Sequence, residues 1–269
     1  MIEAFLVINL DHRVDRWTEF LATSQGRISR DQIHRISAIL GSRLRGAGQR
    51  PWFKENTDSQ VVGSAGCTLS HRKALQFAEE QNFGHVVILE DDVKLLDSFS
   101  FMHDFFKRHL KRHASLPDLT YLGCKKPAPP FKHLSVPCDA FGLYEISGAF
   151  CTHAYLISPR LRRHLLQVLP TEDSIWPWIA QYRCIDRWMS YVLRRKFSIT
   201  AIMPAIAVQS ESFSDITQKI CTRDSNALGP FVSGECSFYQ VKKFLAYSKS
   251  LVKQIGDILS VVPKYFMGI

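Results

Sequence analysis

Residues 86–93, Val86-Val87-Ile88-Leu89-Glu90-Asp91-Asp92-Val93, set four apolar side chains directly ahead of three consecutive acids. A short apolar run of this kind is a buried strand, and in an open α/β sheet ligands bind just beyond the carboxyl ends of the strands. Side chains alternate along an extended chain, which places Glu90 and Asp92 on one side and Asp91 on the other. Adjacent carboxylates repel unless a cation holds them. Hard oxygen ligands suit Mg²⁺ or Mn²⁺, which are commonly bound between carboxylates and the phosphates of a substrate. The segment reads either as the metal and diphosphate end of a nucleotide-linked site or as a solvated acidic turn.

The chain has 269 residues, 46% of them hydrophobic, enough to bury a full core as one large domain or one domain with an appendage. Its net charge of +9 favours anionic partners. The basic residues are scattered, with no zinc-finger spacing and no RNA-binding signature, so no nucleic-acid partner is expected. A nucleotide diphosphate and an anionic membrane surface remain. The seven cysteines are odd in number and widely spaced, and they lack a Cys-x-x-Cys pair, which fits a reducing compartment. Glu3 stands where a signal peptide would carry basic residues, and no apolar run is long enough to span a bilayer. The expectation is a cytoplasmic protein, peripheral at the inner face of the cell membrane.

Along the chain, residues 4–10 read as a strand, 11–16 as a charged loop and 17–24 as a helix. Residues 41–63, with Gly46, Gly48 and Pro51, read as a long surface loop. A helix is expected to open at Gly63 and run to about residue 81, with Ser70 and His71 near its N-terminus and glycines that let an anion approach closely. A basic, aromatic helix at 99–113 and a strand at 119–123 follow, then a proline-rich loop at 125–137 in which regular structure is not expected. Next come a β-like segment at 150–157, a helix from Pro159 to about residue 169, a helix in the second half of 176–193 and a last strand at 198–203. This alternation argues an α/β fold with a mostly parallel sheet flanked by helices. In residues 239–269, Val241, Phe244, Leu245, Leu251, Val252, Ile255, Ile258 and Leu259 recur at helical spacing between lysines. That tail is either an interfacial membrane anchor or an amphipathic helix packed on the domain.

Three segments in order resemble glycosyltransferase family 25, which includes lipooligosaccharide and collagen galactosyltransferases. They are Val7-Ile8-Asn9-Leu10-Asp11-His12-Arg13-Val14-Asp15-Arg16, Gly66-Cys67-Thr68-Leu69-Ser70-His71 and Ile88-Leu89-Glu90-Asp91-Asp92-Val93. Weaker matches are 148–158, Ile185-Asp186 and 204–210, so the resemblance spans roughly residues 1–215. It implies a Rossmann-like GT-A catalytic domain over 1–238 with the basic helical tail behind it. It also implies a Mn²⁺ (or Mg²⁺) ion, a UDP-sugar donor and inversion at the anomeric carbon. Galactose is the expected sugar, and a lipid-linked lipooligosaccharide or lipopolysaccharide glycan the expected acceptor. The alternatives are a collagen-like hydroxylysine acceptor and a metal-dependent nucleotide-sugar phosphohydrolase.

The resemblance also suggests roles. Asp92, with Glu90 or Asp91, would hold the metal against the UDP diphosphate, and Gln209 could add its amide oxygen, since no histidine follows His164. Asn9, Asp11, Arg13 and Arg16 resemble a donor-contacting segment, the arginines being otherwise a surface salt-bridge cluster. Ser70, His71, Glu90 and Asp91 complete the expected donor site, the histidine being otherwise structural. Asp186 is the expected base for the acceptor hydroxyl, or else a helix cap, with Trp188 and Met189 as a platform for the acceptor sugar. Glu211 and Asp139 are the reserve candidates.

Overall fold

A computed structural model describes residues 2–49, 59–134, 138, 140–210, 212–214 and 219–221. Glu211, Asp139 and the expected helical tail at 239–269 lie outside the described residues. Six strands form the central sheet: β1 (Ile2–Asn9), β2 (Ile33–Ser37), β3 (His85–Glu90), β5 (Leu119–Leu134), β6 (Gly142–Ile157) and β7 (Ile199–Met203). Their spatial order is β2-β1-β3-β6-β5-β7. β1 pairs parallel with β2 and β3, and β5 parallel with β7, whereas β6 runs antiparallel to β3, β5 and β7. The result is mixed α/β with a mostly parallel sheet, as the alternating pattern led us to expect. A small antiparallel ribbon, β4 (Val93–Leu95) with β8 (Ala207–Gln209), stands beyond the carboxyl end of β3. A second pairs β9 (Ser212–Ser214) with β10 (Lys219–Cys221).

Strand alternation sorts the core into two layers. Ala4, Leu6, Ile8, Val86 and Ile88 face one layer, completed by α2 (Ser59–Glu80), α4 (Pro159–Val168), α5 (Ile175–Tyr182) and α6 (Ile185–Val192). Phe5, Val7, Val87 and Leu89 face the other, completed by α1 (Val14–Ser24) and α3 (Met102–Leu110). Each fully buried aliphatic or aromatic side chain contributes roughly 1.5–3 kcal/mol of hydrophobic stabilisation. The same alternation sends Glu90 toward α2 and Asp91 toward α1.

Helix α4 begins as its sequence dictates. Pro159 supplies the fixed φ of the first turn, and the Ser158 Oγ accepts the Leu161 N–H at 3.1 Å. Three other expectations need correction. The helix expected to open at Gly63 already includes Ser59, so Gly63 and Gly66 lie inside it and Ser70 and His71 stand in its middle. These glycines do not prepare a helix N-terminus. A Cβ on Gly66 would fall 2.5 Å from the Ile39 carbonyl oxygen, and one on Gly41 would fall 1.9 Å from that of Val62. Gly41 and Gly66 let the 39–41 segment lie directly on the helix backbone. The proline-rich stretch, taken as an irregular loop, continues β5 as far as Leu134 with repeated register shifts against β6. Beyond residue 121 it pairs, among the described residues, with β6 alone, so Pro127, Pro129 and Pro130 sit in an irregular edge where a missing N–H is tolerated. Finally, residues 176–182 are helical as well, because Pro177 falls in the first turn of α5, where no donor is required.

Candidate active site

The three acids occupy three environments at the end of β3. Asp91 is clamped: its Oδ2 accepts from Asn9 Nδ2 at 2.7 Å and its Oδ1 from Arg16 Nη1 at 2.9 Å. Burial pushes its carboxyl up, opposed by Asn9 and the Arg16 charge. Asn9 is itself a hub, donating also to the Arg13 carbonyl at 3.0 Å and accepting from Arg35 Nε at 2.8 Å. Arg16 begins the buried stripe Arg16, Phe20, Ser24 of α1, which aims its guanidinium at the end of β3.

Asp92 is 8% exposed, and its Oδ2 accepts from Gln209 Nε2 at 3.0 Å. Among the described residues its Oδ1 is buried with no hydrogen-bond partner. Burial, with the Glu90 charge beside it, pushes its carboxyl up to about 7. Glu90 differs again: burial raises its carboxyl, but His71, His153 and Thr152 outweigh that and hold it below its ordinary value. Its Oε1 lies 3.4 Å from His71 Nε2 and 3.3 Å from the Thr152 hydroxyl that donates to it.

One cleft gathers these groups. Arg16, Cys67, Ser70, His71, Glu90, Asp91, Asp92 and Gln209 line it, with the 38–41 segment as the adjoining wall. Ser70 holds that wall: its Oγ accepts the Ile39 N–H at 2.8 Å and donates to the Gly66 carbonyl at 2.6 Å. His71, 1% exposed, is set by the Tyr155 hydroxyl, 3.0 Å from its Nδ1. Cys67 lies one helical turn before His71, and a thiol, imidazole and carboxylate ligand atom from Cys67, His71 and Glu90 lie within 4.8 Å of one another. Burial and the neighbouring Glu90, Asp186 and Asp92 charges push the Cys67 thiol up.

The sequence-predicted residues divide accordingly. Arg16, Ser70, His71, Glu90, Asp91, Asp92 and Gln209 meet at the cleft, with Asn9 directly behind Asp91. Gln209 turns its amide nitrogen, not its oxygen, toward Asp92. Asp11 and Arg13 lie outside the cleft lining. Asp11 accepts from the Ser37 hydroxyl and lies 3.5 Å from Arg35, while Arg13 pairs with the exposed Asp15 at 2.9 Å. Asp186 is the second residue of α6, not its cap, and its Oδ2 accepts the Cys151 N–H at 2.9 Å. Its charge bears on Cys67, Cys151 and Cys184, but Asp186 itself is not among the residues that line the cleft. The aromatic platform expected beside it is corrected: Trp188 is 5% exposed and Met189 fully buried, both inside the core. Sequence reasoning missed Cys67, Thr152 and Tyr155. For Thr152 and Tyr155 the signal was the β-like run around them, since β6 must lie beside β3 for Tyr155 to pair with Ile88 and bring its neighbours to Glu90, whereas Cys67 lies on α2 one turn before His71.

Among solved structures, the chain is similar to mannose-1-phosphate geranyltransferase from Thermus thermophilus, with 12% identity over 75% of this chain and 73% of that chain and a TM-score of 0.32. No curated protein matches it. Residues 2–175, which contain the first strand, the glycine-bearing helix, the acidic turn and the Thr152–Tyr155 part of β6, match glycosyltransferase family 25 (LPS biosynthesis protein), and the chain belongs to that family of glycosyltransferases.

Proposed function

We propose that the protein transfers galactose from UDP-galactose, with inversion, to a lipooligosaccharide or lipopolysaccharide glycan, using Mn²⁺ or Mg²⁺. The observation that carries this reading is the Glu90 and Asp92 pair at the mouth of β3, where a buried carboxylate oxygen has no partner among the described residues. The donor set fits a hard divalent cation: carboxylate oxygens, one of them unpartnered, on a carboxyl that burial makes costly to ionise alone. Asp92 and Glu90 would hold the ion, and Gln209 would orient Asp92. Such an ion supplies positive charge to the leaving diphosphate, an effect worth several kcal/mol at the transition state.

The protein's own groups do the rest. Arg16, held by Asp91 in the cleft lining, adds fixed positive charge near the donor. Asp186, oriented by the Cys151 N–H, takes the proton of the acceptor hydroxyl as that oxygen bonds to the anomeric carbon and the bond to UDP breaks. The chain's net charge of +9 supports approach to an anionic, membrane-borne acceptor. Among the described residues no helix is long and apolar enough to cross a membrane.

The test is UDP release by purified protein from a panel of UDP-sugars, with Mn²⁺ or with EDTA, beside an Asp92→Asn variant checked for folding. Release from UDP-galactose, lost in EDTA and in the variant, is the expected result. Release of sugar phosphate instead of UDP, or no turnover of any UDP-sugar by folded protein with metal present, would sink the proposal.

A further inference from the structure

Cys67, His71 and Glu90 place a sulfur, a nitrogen and an oxygen within 4.8 Å of one another at the wall of the cleft. Cys67 and His71 are four residues apart on one face of α2, and Glu90 reaches them from the end of β3. The Tyr155 hydroxyl occupies His71 Nδ1 at 3.0 Å, which leaves Nε2 directed at Glu90, 3.4 Å away. Metal-binding imidazoles are commonly fixed this way through their second nitrogen. The Thr152 hydroxyl donates to the same Glu90 oxygen at 3.3 Å. A thiol and an imidazole are the wrong donors for Mn²⁺ or Mg²⁺ and the right ones for Zn²⁺, which takes cysteine sulfur, histidine nitrogen and glutamate oxygen in tetrahedral sites.

We propose that Cys67, His71 and Glu90 form a three-ligand Zn²⁺ site, distinct in chemistry from the oxygen pair above, whose fourth position opens into the cleft. Binding forms an Sγ–Zn bond and breaks the S–H bond of Cys67, whose proton passes to solvent. No electrons are exchanged. Asp92, whose charge reaches Cys67 and whose Oδ1 has no partner among the described residues, adds negative potential beside the site. Because Glu90 is shared, Zn²⁺ here competes with sugar transfer. That corollary rests on the function proposed above, whereas metal binding itself does not.

The probe is Co²⁺ added to the purified full-length chain at neutral pH. The expected result is a thiolate-to-cobalt charge-transfer band with the strong visible absorption of four-coordinate cobalt, displaced by one equivalent of Zn²⁺ and not by Mn²⁺. Cys67→Ser abolishes the charge-transfer band. Tyr155→Phe keeps it but weakens affinity roughly 10–100-fold. If Cys67→Ser fails to fold by circular dichroism, X-ray absorption of the wild-type zinc form decides, with one sulfur at about 2.3 Å expected. No charge-transfer band in folded protein, a band that survives in folded Cys67→Ser, or a zinc shell of nitrogen and oxygen alone overturns the site.

Discussion

The α1 side and the β8 side of the acidic turn treat two neighbouring carboxylates in opposite ways. On the α1 side Asp91 meets Arg16 and Asn9, and Asn9 in turn meets Arg35, so both carboxylate oxygens have donors and a cation sits alongside. On the β8 side Asp92 has the Gln209 amide for one oxygen and, among the described residues, nothing for the other. The chemistry of the two residues is identical, so the difference lies in what surrounds them. Asp91 ties β1, β3 and α1 together, while Asp92 when ionised carries a burial cost that protonation relieves and a bound cation would offset.

The contrast can be broken from either side. The largest effect is expected on Asp92, where replacement by Asn lowers kcat/KM for UDP-galactose about 10³-fold, since several kcal/mol of charge stabilisation disappears. Steady-state kinetics of the folded variant checks this, and a loss below about tenfold would remove Asp92 from the chemistry. Asp91→Asn strikes stability instead. It removes the carboxylate charge that meets the 10%-exposed Arg16 guanidinium at 2.9 Å and accepts from Asn9 Nδ2 at 2.7 Å, and denaturant unfolding should show a loss of about 3 kcal/mol. A stable Asp91→Asn protein would mean that the clamp on the α1 side is not structural.

The pH dependence of stability sharpens the comparison further. Asp92 has a folded value of about 7 against an ordinary 3.8, so its neutral form favours the fold. That contribution is complete below about pH 4 and is lost as pH rises through about 7. In EDTA at about pH 8, Asp92→Asn should therefore be more stable than wild type by on the order of 2 kcal/mol, with the gap closing toward about pH 4. Thermal unfolding across that range measures it, and a gap that widens as pH falls contradicts the burial cost. The smallest effect belongs to Asp15, held at about 2 mainly by its bond to Arg13 but 64% exposed. Asp15→Ala should cost less than about 0.5 kcal/mol, because water and salt screen a pair at the surface. A larger loss in urea unfolding would make the Arg13 cluster part of the fold's support.

Much of this was legible in the residues, and for definite reasons. The apolar runs of β1 and β3 have strand length and polar flanks, which favours a buried strand, and the acids that end β3 follow directly from it. Ser158-Pro159 announced α4 because cap and first turn are local devices. The failures were non-local. Gly63 and Gly66 looked like a helix boundary because the use of Gly66 depends on a backbone crossing with Gly41 that no local pattern encodes. The prolines after Lys126 looked like a loop because edge position is a property of the sheet. Trp188 looked like a sugar platform because an aromatic beside an acid carries no mark of which face is buried. Tyr155 and Thr152 were overlooked because their partners, His71 and Glu90, lie 84 and 62 residues away.

The left-handed residue in β6 ties the two ends of the proposed reaction to one point of the backbone. Cys151, at φ 68°, gives its N–H to Asp186, and the next residue, Thr152, gives its hydroxyl to Glu90. A single peptide unit thus separates the group that positions the acceptor's base from the group that steadies the donor-side acid. Any change that shifts this unit moves both, so substitutions at Glu90 and Asp186 should show coupling in a double-mutant cycle. A lineage altering its choice of acceptor through this strand would therefore disturb its grip on the donor, and the two specificities should drift as one trait.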